Sequence, residues 1–119
     1  MLIKDMNGCC EFIAGDGTVL RELFHPGKAE VAFRYSLAHA RVEPGQISRK
    51  HRLKVSEVYY ILEGCGTMYI NDESEAVCSG QAVYIPPDAV QCIENTGETD
   101  LTFLCIVDPA WSREDEVVL

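Results

Sequence analysis

The sequence predicts an all-β domain, a sandwich or barrel of short antiparallel strands. Three observations predict it. Runs rich in β-branched and aromatic residues recur at short spacing, among them Val55–Leu62, Ala82–Ile85 and Leu101–Val107. Turn chemistry separates them, at Glu43-Pro44-Gly45, Asn71-Asp72, Pro86-Pro87 and Asn95-Thr96-Gly97-Glu98. Evenly spaced short strands of this kind suit a two-sheet or closed all-β architecture.

Each element has its own justification. Val31–Val42 alternates with period two: Phe33, Tyr35, Leu37, His39 and Arg41 fall on one face, Ser36, Ala38, Ala40 and Val42 on the other. Val55–Leu62 follows as a second strand. Thr67–Ile70 and Ser74–Cys78 flank Asn71-Asp72, a pair that tolerates the positive φ of a type I′ hairpin turn. That turn sets the register, so Met68 opposes Glu75 and Cys65 opposes Cys78. Ala82–Ile85 is stopped by the two prolines. Gln91–Glu94 and Leu101–Val107 complete the set. The tail offers the one weak helical signal: Asp108-Pro109-Ala110-Trp111-Ser112 opens a short turn before acidic Arg113-Glu114-Asp115-Glu116.

The 119 residues fit one domain, 47% of them apolar, enough for a real core. A net charge of −9 repels phosphate backbones and anionic lipid, which argues against nucleic acid and membrane partners. No apolar run approaches the roughly 20 residues of a membrane span, and the N-terminus lacks a signal-peptide stretch. The expected location is cytoplasmic. The six cysteines include no C-x-x-C, and Cys92 and Cys105 sit inside apolar strands, so reduced thiols are expected.

The segment Gly45–Asn95 resembles the cupin superfamily. The first cupin motif places Gly, His, a second His, Glu and Gly at fixed offsets; here Gly45, His51, Glu57 and Gly64 match, with Leu53 where the second His belongs. The second motif is matched by Gly80, Pro86 and Asn95, with Asp88 in place of a Gly and Gln91 in place of a His. Fifteen residues separate the motifs. The resemblance implies a single domain over residues 1–119, an antiparallel jelly-roll β-barrel with short terminal extensions and a pocket inside. It also implies a homodimer, as small cupins commonly are.

The resemblance further implies a metal site. Alternate residues of a barrel strand share a face, so His51 and Glu57, six apart, both face inward, and position 91 faces them from the other sheet. Full cupin sets of three imidazoles and one carboxylate suit divalent zinc, nickel, manganese or iron. Here His51, Glu57 and Gln91 are the candidate ligands. The alternative is a barrel without metal, in which Gln91 hydrogen-bonds Glu57 or His51 and Leu53 dries the pocket. Glu57 needs a partner either way, because an unpaired carboxylate in an apolar barrel is costly.

Around this core, Tyr35, Leu53, Tyr59 and Tyr84 are candidate pocket residues. His39, if its face points inward, is a candidate general base beside Glu57. His25 lies in a turn, Trp111 is expected to cover a barrel end or a partner, and Lys50 and Arg52 should face away from the pocket. The function expected is binding of a small molecule, metal-assisted, with isomerase- or epimerase-like chemistry on a sugar or keto acid. A metal-poor barrel that binds an effector or partner is the alternative, an oxygenase the second. A redox role for the cysteines is a further possibility.

Overall fold

A computed structural model describes residues 1–119. Eleven strands form two antiparallel sheets: β1 (Glu11–Ile13), β2 (Val19–Phe24), β3 (Ser36–Val42), β4 (His51–Leu53), β5 (Ser56–Glu63), β6 (Cys65–Ile70), β7 (Glu73–Cys78), β8 (Ala82–Ile85), β9 (Gln91–Asn95), β10 (Leu101–Asp108) and β11 (Glu116–Val118). One sheet runs β1-β2-β3-β10-β5-β8, the other β11-β4-β9-β6-β7. This is the jelly-roll expected. No helix is long and apolar enough to cross a membrane.

β10 shows why the sheets pack as they do. Leu101, Phe103, Cys105 and Val107 are buried, while Thr102, Leu104, Ile106 and Asp108 are not, the period-two pattern of a strand with one face on a core. β10 lies between β3 and β5 and lines up three inner rows: Ala40, Phe103 and Ile61; Ala38, Cys105 and Tyr59; Ser36, Val107 and Glu57. The first row, with Leu101, Met68 and Ile93, fills one end of the barrel completely. Truncating a buried aromatic such as Phe103 to Ala should cost about 3–5 kcal/mol. The other two rows carry small side chains on β3, and there the barrel stays open.

Several expectations are corrected here. The strand expected over Val31–Val42 begins only at Ser36. Before it, Phe33 and Tyr35 stack with ring centroids 4.2 Å apart and Phe24 meets Phe33 edge-on. The large-residue face of β3 points outward, because the small residues are the ones the barrel interior accommodates. Strands β1, β2, β4 and β11 carry no strong alternation; the short helical turn expected in the tail is present as one turn of 3-10 helix over Arg113–Asp115, and β11 follows it. In the 71–72 hairpin Asn71 has φ 53° but Asp72 is not in the positive region, so the turn is not type I′. Val90 holds Asn71 from both sides: its carbonyl accepts the Asn71 N–H, and its N–H donates to Asn71 Oδ1. The register is nevertheless as expected, with Cys65 opposite Cys78 and Met68 opposite Glu75.

The motif positions have structural reasons. Gly64 has φ 87°, and a Cβ there would lie 2.7 Å from the Asp100 carbonyl oxygen. Asp88 replaces a motif Gly yet keeps a φ of 66°, a conformation Asp tolerates better than most residues. Asn95 is buried; its amide nitrogen donates to the Val42 and Thr99 carbonyls and its oxygen accepts from Gly97 N.

Candidate active site

The open end of the barrel holds a cavity of about 280 Å³. Its walls are largely apolar, with Leu20, Ala38, Leu53, Cys105 and Val107; His51, Glu57, Tyr59, Asp16 and Glu116 are polar, joined by Thr18, Glu22, Lys28 and Ser36. A wider groove of about 520 Å³ lies at the β7 and β8 edges, but it gathers no such cluster of titratable groups.

Glu57 stands on β5 next to Val107 of β10 and Ile85 of β8. Its carboxyl belongs to a short buried chain of hydrogen bonds: Tyr59 Oη donates to Gln91 Oε1 at 3.2 Å, and Gln91 Nε2 donates to Glu57 Oε1 at 3.0 Å. Oε2 has no protein partner. Burial pushes the Glu57 carboxyl up to about 8; the bond from Gln91 opposes this, and the charges of Asp16 and Glu116 add to it. Near neutral pH the group is therefore mostly a neutral acid. The chain of donors places that proton on Oε2, on the cavity side. Burial, then Glu57, raises the Tyr59 hydroxyl well above its ordinary value, so it remains a donor.

His51 is directly opposite Gln91 across β4 and β9. Its Nδ1 donates to the Arg49 carbonyl at 2.9 Å, which leaves Nε2 as the free ring position. That atom lies 3.7 Å from Asp16 Oδ2. Asp16 is fixed by its own turn, Oδ1 accepting from Thr18 N at 3.0 Å and Thr18 Oγ1 at 2.8 Å.

The structure thus brings His51, Glu57, Gln91, Leu53 and Tyr59 to one site. It does not bring Tyr35, Tyr84 or His39. Tyr35 precedes β3 and is 38% exposed; Tyr84 is 63% exposed on the outer face of β8. His39 lies on the outer face of β3, opposite Arg21 of β2 and Leu104 of β10, in a shallow depression with Arg41 and Glu63. Partial burial, then the charges of Arg21 and Arg41, lower its pKa. It has no path to the cavity and is not a base for it. Asp16 and Glu116 were not singled out by the sequence, whereas Trp111, expected at a barrel end or a partner, does line the open barrel end. An Asp-Gly-Thr turn signal was present at 16–18, but nothing in the sequence linked that turn to His51.

The donors do not fit the metal that the motif resemblance implies. Leu53 stands in one ligand position. Gln91 spends its nitrogen on Glu57 and its oxygen on Tyr59. No group of three His, Cys, Asp or Glu side chains is arranged to hold a metal ion.

Comparison with known proteins agrees with the fold. Residues 38–107 match the cupin domain family. Uncharacterized protein MJ1618 of Methanocaldococcus jannaschii is 40% identical over 109 residues, covering 91% of this chain and 86% of that protein. Mannose-1-phosphate guanylyltransferase ManC of Salmonella typhimurium is 27% identical over 125 residues; the match covers 98% of this chain but only 26% of that enzyme. A crystal structure of a predicted oxalate decarboxylase from Thermotoga maritima superposes with a TM-score of 0.78 at 21% identity, covering 89% of this chain and 97% of that one. With its two sheets, its motif residues at the open barrel end and this family match, the chain belongs to the cupin family.

Proposed function

We propose that this cupin binds a small, neutral, hydroxyl-rich molecule of the sugar class, and that it does so without a metal. The observation that carries the reading is the polarity of the cavity. Asp16, Glu22 and Glu116 offer carboxylate oxygens, Glu57 Oε2 carries an inward proton deep in the pocket, Lys28, Thr18, Ser36 and His51 add further polar contacts, and the rest of the wall is mostly apolar. A ligand with several hydroxyls satisfies that set, since each hydroxyl both donates and accepts. A small dianion does not, because Asp16 and Glu116 repel it. The cavity volume, about 280 Å³, is at the small end of ligand pockets and suits one monosaccharide ring. The likeness to a mannose-1-phosphate guanylyltransferase, a quarter of whose length the chain spans, supports a sugar ligand.

Calorimetry with D-mannose, D-glucose, D-galactose, oxalate and tetramethylammonium tests this. At least one hexose should bind more tightly than oxalate, and Glu57→Ala should weaken it by about tenfold or more, as loss of a buried hydrogen bond implies. Oxalate binding more tightly than every hexose would overturn the reading.

Catalysis is a second reading, favoured by Glu57 Oε2 facing the cavity with a proton to exchange. In that case the ionised fraction of Glu57 takes the proton from the carbon next to the carbonyl and returns it to the former carbonyl carbon, while a hydroxyl proton crosses between the two oxygens, converting an aldose to its ketose. Incubating the bound hexose in deuterium oxide should then label the carbon next to the carbonyl, and Glu57→Gln should stop it. No label above the protein-free rate would leave binding as the function.

A further inference from the structure

We propose that Trp111 is the stacking platform of this pocket, a fixed aromatic face against which one C–H face of the ligand ring rests, and that Glu116 and Gly15 hold it in position. The ligand class is that of the sugar reading; the platform and its supports are additional to it.

Every polar atom of Trp111 is tied down. Its backbone N–H donates to Ser36 Oγ at 2.9 Å, its carbonyl accepts from His25 Nε2 at 2.8 Å, and its indole Nε1 donates to Glu116 Oε2 at 2.8 Å. The backbone is thus fixed at two points and the indole itself is anchored through Nε1. Yet the residue is 39% exposed and lines the cavity. An indole serving only the core would be covered, and its large apolar face is costly to leave against water. A ring anchored at its nitrogen and partly exposed at a pocket can receive a ligand with little further loss of entropy.

The chemistry of the face matches the chemistry of the cavity. An indole face is electron-rich and attracts the weakly positive C–H groups of a sugar ring, while the ring's hydroxyls point sideways to acceptors. Asp16 and the second oxygen of Glu116 are those acceptors.

Gly15 explains how Glu116 gets there. A Cβ at position 15 would lie 2.8 Å from Glu116 Oε1 and 3.4 Å from Val118 Cγ2. Glu116 begins β11, paired with Leu53, so its backbone has little room to retreat. Gly15 has no positive φ, so Gly15→Ala is permitted by the backbone and acts through that contact alone. It should push the carboxylate off the indole. Gly15 and Glu116 are positioning residues, and Trp111 is the contact.

Trp111 is the sole tryptophan of the chain, so intrinsic fluorescence reports on this site alone. The full-length protein is titrated with each hexose by fluorescence and by calorimetry in parallel. The expected result is an emission change that saturates with the calorimetric Kd. Trp111→Ala should weaken binding by about tenfold or more and Trp111→Phe by about threefold, as loss and partial retention of aromatic contact require. Gly15→Ala should weaken binding and shift the emission of the free protein, with Trp111 still present. A hexose that binds calorimetrically with unchanged emission, and equally well to Trp111→Ala, overturns the platform and leaves the sugar reading standing. Tetramethylammonium quenching Trp111 while no hexose gives heat overturns both, since the aromatic face would then receive a cation.

Discussion

The side-chain nitrogen of Gln91 lies 3.0 Å from Oε1 of Glu57, at the position where the cupin motif carries its third histidine. The amide does what a metal would otherwise do for the buried carboxyl: it gives one oxygen a partner. It does so without neutralising a charge, so the carboxyl keeps its proton instead. A buried unpaired carboxylate would cost several kcal/mol, and protonation avoids most of that.

This makes a prediction about pH. Glu57 is held protonated up to about 8 in the folded state, while in the unfolded chain it ionises near 4.3. Between those values the folded state binds the extra proton, so stability falls as pH rises and levels off above about 8, by at most about 1.4 kcal/mol per pH unit. Thermal melts of the wild type and Glu57→Gln should therefore converge near pH 4 and separate towards pH 8, the wild type losing on the order of 10 °C relative to the variant. Parallel curves would show that Glu57 is not desolvated as described.

A second prediction restores the ligands that the motif lacks. Leu53 and Gln91 are both buried and face the cavity side of their strands. The double variant Leu53→His with Gln91→His would present three imidazoles and one carboxylate, a set that suits nickel or zinc. Its affinity for either metal should exceed that of the wild type by on the order of a hundredfold or more, read by calorimetry on protein made without an affinity tag. Equal affinities would mean that positions 53, 91 and 51 do not converge.

Cys65 and Cys78 give a third. They are directly opposed on β6 and β7, both exposed and both free thiols. Counting from the two-residue turn makes them a non-hydrogen-bonded pair, and consistently the Cys78 N–H donates to Gln81 Oε1 instead of to Cys65. Such pairs have Cα atoms about 4.5 Å apart, within disulfide range. Hydrogen peroxide should therefore take two protons and two electrons from the pair, forming one disulfide and two waters. Intact mass should fall by two hydrogens, and peptide mapping should join residues 65 and 78. Both thiols remaining open to alkylation after oxidation would contradict this.

The fourth concerns assembly. β1 is an edge strand with Phe12 and Ile13 exposed, and exposed apolar edges invite pairing. We propose a homodimer formed there. Light scattering should report twice the 13.2 kDa of the chain, and Phe12→Asp with Ile13→Asp should return it to a monomer. A wild-type monomer at micromolar concentration would reject the dimer.

The fold was legible because its signals are local. The offsets between Gly45, His51, Glu57 and Gly64 follow strand period and turn length, and Glu57 and Tyr59 share an inward face because they are two apart. The 71–72 turn set the β6–β7 register without knowledge of any other strand. What failed was the sense of inside and outside on β3. His39, Leu37 and Tyr35 are larger than Ser36, Ala38 and Ala40, so size pointed the wrong way. The barrel interior is crowded at Phe103 and kept open beside Glu57, and both conditions demand small residues from β3. Asp16 and Glu116, and the part Trp111 plays beside them, were illegible for another reason. They come from the β1–β2 turn and from the tail, far from His51 in sequence, and only long-range contacts, among them the pairing of β11 with β4, bring them to the cavity.

The central claim is that this pocket binds its ligand through Glu57, His51 and Asp16 with no metal. Hexose binding measured by calorimetry on protein stripped with a chelator, and again after loading with zinc, nickel, manganese or iron, tests it most directly. The same Kd, within about twofold, is expected in every case. Binding that vanishes on stripping and returns with one of the metals would contradict it.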